Sequence, residues 1–170
     1  MIALDTNILV YAHREDSPFH SSAADLLRRL SEGHEPWTIP WPCVYEFLRV
    51  VTHPRLFNPP TPLDMALREL RSLFSSPSFV PIGEGPMHAG HFARIVEDGR
   101  AIGNLAHDAH IAALVVEHGV SELWTTDRDF ARFPGVRIRN PFLVDRVSES
   151  RPAAGRSRRS VAKRRHAARR

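Results

Sequence analysis

Four carboxylates occupy positions where an ordinary folding sequence places uncharged residues. Asp5 follows the apolar run 1–4, and Asp127 follows a second run, 123–126. Asp108 falls on the apolar side of a predicted helix, and Glu46 lies at the border of another apolar helix face. Because an unpaired buried carboxylate costs several kcal/mol, we expect these groups to converge on a cation. Hard oxygen ligands suit Mg²⁺ or Mn²⁺, which assist chemistry on phosphates.

Helical periodicity indicates the direction of Asp108 and Glu46. A helix over 104–118 places Asp108 near the middle of an apolar face made of Leu105, Ala109, Ala112, Val115 and Val116. The helix dipole favours an acid near the N-terminus, but it does not explain why Asp108 points inward. A helix over 42–52 places Glu46 beside an apolar arc made of Cys43, Val44, Phe47, Leu48 and Val51. Taken alone, Glu46 would be interpreted as a border residue of an amphipathic helix, but beside the other acids we interpret both Glu46 and Asp108 as functional. Asp5 and Asp127 also have a second interpretation, as helix caps.

Other side chains are weaker candidates. Asp129 is either an outer metal ligand or a charge at a helix N-terminus. His107 and His110 are three positions apart, but the sequence has no zinc-binding spacing such as HExxH, so we interpret the ten histidines as surface residues. Trp37 and Trp41 flank a predicted strand, and we interpret them as core or rim residues rather than as a platform for base stacking.

The composition bounds the class of protein. A length of 170 residues, of which 42% are hydrophobic, predicts a single globular domain. The sequence has no apolar stretch near ~18 residues and no basic region before Ile2, so we expect neither a transmembrane helix nor a signal peptide. The single cysteine, Cys43, excludes an internal disulfide framework. We interpret it as a packed thiol in a reducing cytosol, which predicts a cytoplasmic protein.

The charge is divided unevenly along the chain. The net charge is +4, but residues 151–170 contain nine of the 23 basic residues and no acid. This leaves 14 basic against 19 acidic residues in 1–150, a net charge of −5. We predict an acidic domain over 1–147 and a disordered basic tail over 148–170. The tail is either a solvated extension or an RNA-binding arm that uses Arg158, Arg159, Lys163, Arg164 and Arg165.

Short apolar segments alternate with helical patterns along the acidic part of the chain. Strands are predicted at 2–5, 37–40, 79–82, 122–126 and 136–138, and helices at 6–12, 17–33, 42–52, 62–74, 85–98 and 104–118. This alternation predicts an α/β fold with a central parallel sheet of about four to five strands and helices on both faces. Ligands bind at the carboxyl ends of parallel strands, where Asp5 and Asp127 are expected to lie.

Four motifs, in this order, resemble those of PIN domains. The segment LDTNILVYA (4–12) is similar to their first motif and YEFLRV (45–50) to the second. NLAHDAHIAA (104–113) is similar to the third and TTDRDF (125–130) to the fourth. The order, the spacing and the short length resemble the VapC toxins of bacterial toxin–antitoxin pairs. One such motif alone is a weak signal, whereas four in order form a specific pattern.

The resemblance implies a PIN-like three-layer fold and an endoribonuclease that requires Mg²⁺ or Mn²⁺ and leaves a 5′-phosphate and a 3′-hydroxyl. It implies a catalytic quartet of Asp5, Glu46, Asp108 and Asp127. The metal ligands in this set would be Asp5, Asp108 and Asp127, and the auxiliary residues would be Asn7, Thr126 and Asp129. The resemblance also implies a homodimer, a structured cellular RNA such as tRNA or rRNA as substrate, and a VapB-like antitoxin whose tail occupies the cleft.

Two other interpretations remain open at the level of the sequence. A haloacid-dehalogenase-like phosphatase also has an Asp after its first strand. It carries a second acid where this chain has Asn7, and a lysine near the last acids, whereas the only lysine here is Lys163. A non-catalytic RNA-binding module with a PIN-like fold would depend on the basic tail, but it would not need four acids. Metal-dependent cleavage of labelled RNA separates the three interpretations.

Overall fold

Residues 1–143 form a four-stranded parallel sheet flanked by six α-helices in the computed structural model, which describes this part of the chain. The predicted α/β fold is therefore confirmed. The predicted domain boundary at 147/148 lies outside the described residues, and so do the predicted tail and its candidate RNA-binding residues Arg158, Arg159, Lys163, Arg164 and Arg165. None of the helices in 1–143 is long and apolar enough to cross a membrane.

The sheet is short and has β1 and β3 at its centre. Its strands are β1 (Ile2–Leu4), β2 (Trp37–Thr38), β3 (Glu122–Trp124) and β4 (Ile138–Arg139), in the order β2-β1-β3-β4. In the parallel register, Ala3 lies between Thr38 and Leu123. Because parallel strands end at the same edge of a sheet, the segments that follow β1 and β3 come together there. Those segments contain Asp5 and Asp127.

The helices are α1 (Thr6–His13), α2 (His20–Glu32), α3 (Trp41–Val51), α4 (Leu63–Phe74), α5 (His88–Gly99) and α6 (Leu105–Glu117), and a short 3-10 helix spans Asp129–Arg132. Helix α6 is more central than its sequence predicts. All residues from Ile111 to Val115 are buried, because α3, α5 and the 3-10 helix all contact α6. The single apolar face predicted for this helix was therefore too narrow.

Several predicted elements differ from the structure. The strands predicted at 37–40 and 122–126 end two residues early, the strand predicted at 136–138 begins two residues late, and the helix predicted at 85–98 begins at His88. Segment 79–82 is not a strand but makes one parallel bridge, from Phe79 to Trp37, and the N–H of Val80 donates to the carbonyl of Trp37. Pro81 has no N–H with which to extend this pairing. Helix α2 begins at His20 rather than at 17, because 17–19 form a turn closed by hydrogen bonds to Ser17.

Candidate active site

All four predicted carboxylates line one cavity of about 890 Å³. The cavity lies between the ends of β1 and β3 and the helices α3 and α6. Its walls include Asp5, Glu46, Asp108 and Asp127, together with Asn7, Tyr11, Tyr45, Arg49, Asn104 and His107. The fold therefore brings together acids that are more than a hundred positions apart in the sequence.

Asp5 is the most buried of these acids, with only 5% of the residue exposed. It follows β1 directly and caps α1, where its Oδ1 accepts from the backbone N–H of Thr6 at 2.7 Å. Its Oδ2 accepts from the Thr125 hydroxyl and from the Asn7 amide, both at 2.6 Å. Asp5 is thus both a helix cap and a cavity acid, and three donors fix the orientation of its carboxylate.

Thr125 and Asn7 organise the carboxyl end of β3. Thr125 Oγ1 accepts hydrogen bonds from the Asn7 amide and from the backbone N–H of Asp127, both at 2.9 Å. The same hydroxyl donates a hydrogen bond to Asp5. The other side of the Asn7 amide accepts from the backbone N–H of Thr126 at 3.3 Å. The Thr126 hydroxyl lies 3.3 Å from the Tyr11 hydroxyl instead. Asn7 therefore orients Asp5, and the hydroxyl that contacts Asp5 belongs to Thr125 rather than Thr126.

Glu46 holds the opposite wall of the cavity. Its Oε2 accepts from the Thr6 hydroxyl at 3.2 Å and lies 3.2 Å from His107 Nε2, while Oε1 accepts from Arg49 at 3.0 Å. The hydrogen bond from His107 is the largest of the effects that lower the pKa of Glu46 to about 2. Glu46 in turn raises the pKa of His107. This contact connects α3 to α6 at the edge of the cavity.

Asp108 and Asp127 complete the acidic wall with fewer partners. Asp108 is half-buried in the first turn of α6, and burial, followed by the charge of Asp127, raises its pKa. Asp127 is exposed, and its Oδ1 accepts from the backbone N–H of Asp129 at 2.8 Å. Asp129 begins the 3-10 helix, and its Oδ1 lies 3.7 Å from Arg132 Nη2. It does not line the cavity. The geometry therefore favours the helix-terminus interpretation of Asp129.

Asp5, the most buried acid of the cavity, has other negatively charged groups around it. Burial is the main cause that raises the pKa of Asp5 to about 6, and the charges of Glu46 and Asp127 act in the same direction. The hydrogen bonds from Thr125 and Thr6 lower this pKa but do not offset the burial. A cavity of this kind favours a cation and repels a phosphate unless a cation is bound with it.

The donor chemistry of the cavity fits Mg²⁺ or Mn²⁺. Asp5, Asp108 and Asp127 present carboxylate oxygens, the hard ligands that these ions prefer. A positive charge would also offset the burial and the repulsion between acids, which together raise the pKa of Asp5 and Asp108. Within residues 1–143, however, no three acidic, His or Cys side chains already stand close enough together to hold one ion. An ion held by three of these acids would therefore require movement of side chains such as that of the exposed Asp127.

The sequence predicted that His107 is a surface residue and did not single out Thr125, yet the side chains of both contact the acids of the cavity. His107 lies about 100° from Asp108 around α6, so periodicity assigns it to the surface, yet its side chain reaches Glu46 on another helix. The sequence did contain one signal for this role: His107 is adjacent to Asp108, whose side chain was predicted to point inward. Thr125 is a polar residue at the end of an apolar strand, two positions before Asp127, and it could have been found from this placement.

Comparison with known proteins gives consistent results. Residues 2–136 match the PIN domain family, a range that contains all four cavity acids. Ribonuclease VapC48 of Mycobacterium tuberculosis is 37% identical over 138 residues, which cover 81% of this chain and 95% of that protein. The structure of VapBC2 from Rickettsia felis, bound to a DNA fragment from its promoter, has a TM-score of 0.60 and 21% identity, and covers 82% of this chain and 98% of that one. VapC20 of M. tuberculosis, a sarcin–ricin loop cleaving toxin, has a TM-score of 0.56 and 14% identity, over 81% of this chain and 99% of that one.

Proposed function

Because the chain belongs to the PIN domain family, we propose that it is a metal-dependent endoribonuclease and the toxin component of a type II toxin–antitoxin pair. The observation that carries this proposal is the cavity lined by Asp5, Glu46, Asp108 and Asp127. The ribonuclease relative supports the reaction class. The family assignment removes the phosphatase alternative, and a pure RNA-binding module has no use for four converging acids.

The acids of the cavity have different roles in the proposed hydrolysis. Asp5, Asp108 and Asp127 would hold Mg²⁺ or Mn²⁺, and Asn7 and Thr125 keep the Asp5 carboxylate turned towards the same place. A bound ion lowers the pKa of a coordinated water and offsets the charge that develops on the phosphate.

Glu46 acts from the opposite wall. A pKa of about 2 keeps its carboxylate ionised at any physiological pH, so it can orient a water molecule by accepting its hydrogen bonds. Thr6 and His107 hold this carboxylate in place.

The proposed substrate is a single-stranded region of a structured cellular RNA, such as a loop of tRNA or rRNA. Proteins read RNA mainly in loops whose bases are unstacked, and the cavity is open to such a segment. The description of VapC20 as a sarcin–ricin loop cleaving toxin is consistent with this class of substrate. An RNA substrate of this kind makes the cytoplasm the proposed place of action.

Cleavage of a 5′-labelled RNA by the purified protein tests the reaction. We expect cleavage with Mg²⁺ or Mn²⁺, none with a chelator, and new ends that carry a 5′-phosphate and a 3′-hydroxyl. Asp108→Asn should lower the rate at least about a hundredfold, since even the outer partners of metal ligands contribute about 10- to 100-fold. Asp129→Asn should cost about tenfold or less, because Asp129 does not line the cavity.

Asp98→Asn on α5, which removes an exposed acid outside the cavity, is the matched control and should cleave like the wild type. Cleavage in the chelator, or cleavage by Asp108→Asn at the wild-type rate, would contradict the proposal. A loss in Asp129→Asn as large as that in Asp108→Asn would place Asp129 among the essential acids.

We further propose a homodimeric toxin that is neutralised by a VapB-like antitoxin. The similarity to the VapBC2 structure supports the antitoxin as a partner, and so does charge: an acidic cavity attracts an Arg-bearing segment. Expression of this chain alone should arrest growth, and co-expression of a small protein encoded beside it should restore growth. Asp108→Asn, expressed to the same level, should cause no arrest. Normal growth with the wild-type chain would count against the toxin function.

A further inference from the structure

Helix α3 carries a row of three large side chains that remain exposed to solvent. Trp41, Tyr45 and Arg49 follow one another at intervals of four positions, so they lie on one side of the helix, with about 6 Å along its axis between each residue and the next. Trp41 is 39% exposed and Tyr45 is 64% exposed. Tyr45 and Arg49 also line the acidic cavity. We refer to these three residues as the α3 row.

The aromatic part of the α3 row is held in place before any ligand binds. The rings of Trp41 and Tyr45 are stacked, with centroids 5.7 Å apart and planes inclined by 26°. Trp41 also packs edge-on against Phe74 of α4, at 5.9 Å. On a further side the backbone of Gly83 approaches so closely that a Cβ there would lie 3.3 Å from Trp41 Cδ1. Trp41 therefore supports Tyr45, which keeps most of its surface exposed.

Arg49 adds positive charge beside the acids. Its guanidinium lies 3.0 Å from Glu46 Oε1, but its side chain is 62% exposed. Since a guanidinium has five N–H donors, several remain for a second acceptor such as a phosphate. The α3 row thus combines two aromatic rings with one cation at the edge of the cavity.

Tyr11, the aromatic residue on the opposite wall of the cavity, does not offer a ligand a ring face in the way that Tyr45 does. The Tyr11 ring packs against Phe19 at 5.1 Å and against Phe142 at 6.0 Å, and its hydroxyl contacts Thr126. The exposed aromatic surface at the cavity is therefore the one that Tyr45 provides.

We propose that the α3 row is a stacking subsite for the substrate RNA. In this proposal Tyr45, supported by Trp41, stacks on a base next to the scissile phosphate, and Arg49 contacts a flanking phosphate. The proposal rests on the proposed ribonuclease function. Stacking on aromatic side chains is a common way to hold single-stranded RNA, and phosphate contacts fix its register. It also gives a role to the rim position of Trp41, which the sequence alone did not assign to base stacking.

Single-turnover cleavage at increasing protein concentration tests the subsite. Stacking of one base contributes about 1–3 kcal/mol, and 1.4 kcal/mol corresponds to a factor of ten. Tyr45→Ala should therefore raise the protein concentration at half-maximal rate by about 5- to 140-fold, with a much smaller effect on the rate at saturation. Tyr45→Phe, which retains the ring, should restore tight binding. Leu63→Ala on α4 removes a side chain of similar exposure, 59%, outside the cavity and should have no effect.

A change in the RNA provides the matching half of the test. An abasic nucleotide is placed in turn at each position beside the mapped cleavage site. At one position it should weaken binding to the wild type as much as Tyr45→Ala does, and it should cause no further loss in Tyr45→Ala, because both changes remove the same contact. Independent, additive losses would overturn the subsite.

The outcomes separate the subsite from the ribonuclease function. Equal half-maximal concentrations for wild type and Tyr45→Ala would overturn the subsite and leave the nuclease intact.

If the wild type cleaves no RNA, the function fails, and quenching of tryptophan fluorescence by oligouridylate then tests base stacking directly. Quenching that weakens in Tyr45→Ala supports stacking, and absence of quenching overturns it. A different sedimentation coefficient for Tyr45→Ala would assign the α3 row to a subunit interface and also overturn the proposal.

Discussion

At the scale of single residues, Asp5 meets two requirements that conflict without a cation. It ends β1 and caps α1, which buries it, and it lies among other acids. Three hydrogen bonds fix its orientation, yet its pKa is still raised to about 6. The metal-free protein is therefore destabilised at the place where the proposed ion would bind. Perturbed carboxylates of this kind cluster at functional sites.

The free energy of unfolding of the metal-free protein should decrease as the pH rises from about 4 to 7. Asp5 has a pKa of about 6 in the folded state against 3.8 as its ordinary value, so the folded state binds this proton more tightly. This proton stabilises the folded state fully when the pH is below 3.8, and the stabilisation is lost as the pH rises past about 6. The free energy of unfolding falls by about 3 kcal/mol in total. Urea unfolding in a chelator between pH 4 and 8 measures this decrease.

Asp5→Asn is the control for this prediction, because it removes the titrating group from the same position. The difference in unfolding free energy between wild type and variant should change across this pH range, and Mg²⁺ at pH 7 should stabilise the wild type more than the variant. A difference that stays constant with pH would show that Asp5 titrates normally.

At the scale of elements, the structure shows which features local sequence determines. Helices α3 and α4 were predicted within one residue of their bounds, because Pro42 and Pro62 mark their N-terminal turns. The strand predicted at 79–82 is absent, because a strand depends on the strand with which it pairs, and the neighbouring β2 has only two residues. The contact of His107 with Glu46 depends on how α6 lies against α3, which the periodicity of either helix does not contain. The sequence therefore identified the four acids, but not the hydroxyl and imidazole groups that hold them.

Two glycines of α5 should respond to alanine in opposite directions. A Cβ at Gly99 would lie 2.6 Å from the buried ring of Phe133, whereas a Cβ at Gly90 meets nothing within 4 Å. Gly99→Ala should lower the free energy of unfolding by about 1–3 kcal/mol through overpacking, despite the helix preference of alanine. Gly90→Ala should raise it by up to about 1 kcal/mol, because alanine favours the helix. Thermal and urea unfolding of both variants test the pair, and a stabilised Gly99→Ala would contradict the packing of α5 on Phe133.

At the scale of the whole molecule, charge is separated along the chain. Residues 1–150 carry a net charge of −5, while 151–170 carry nine positive charges and no acid. The acidic part attracts cations, but its field opposes the approach of RNA. The basic segment has the opposite effect on RNA, and its sequence has no apolar pattern from which to build a site. Attraction of RNA and its cleavage are therefore expected to reside in different parts of the chain.

Truncation after Ser150 tests this separation. Each RNA phosphate that the basic segment neutralises releases counterions, so removal of the segment should weaken RNA binding most at low salt. The slope of log K against log salt should become shallower by up to about 0.7 for each phosphate of single-stranded RNA that is no longer neutralised. The cavity acids all precede residue 128, so single-turnover cleavage at saturating RNA should remain at the wild-type rate. Loss of cleavage at saturation, or unfolding of the truncated chain, would instead show that residues beyond 150 belong to the site or to the fold.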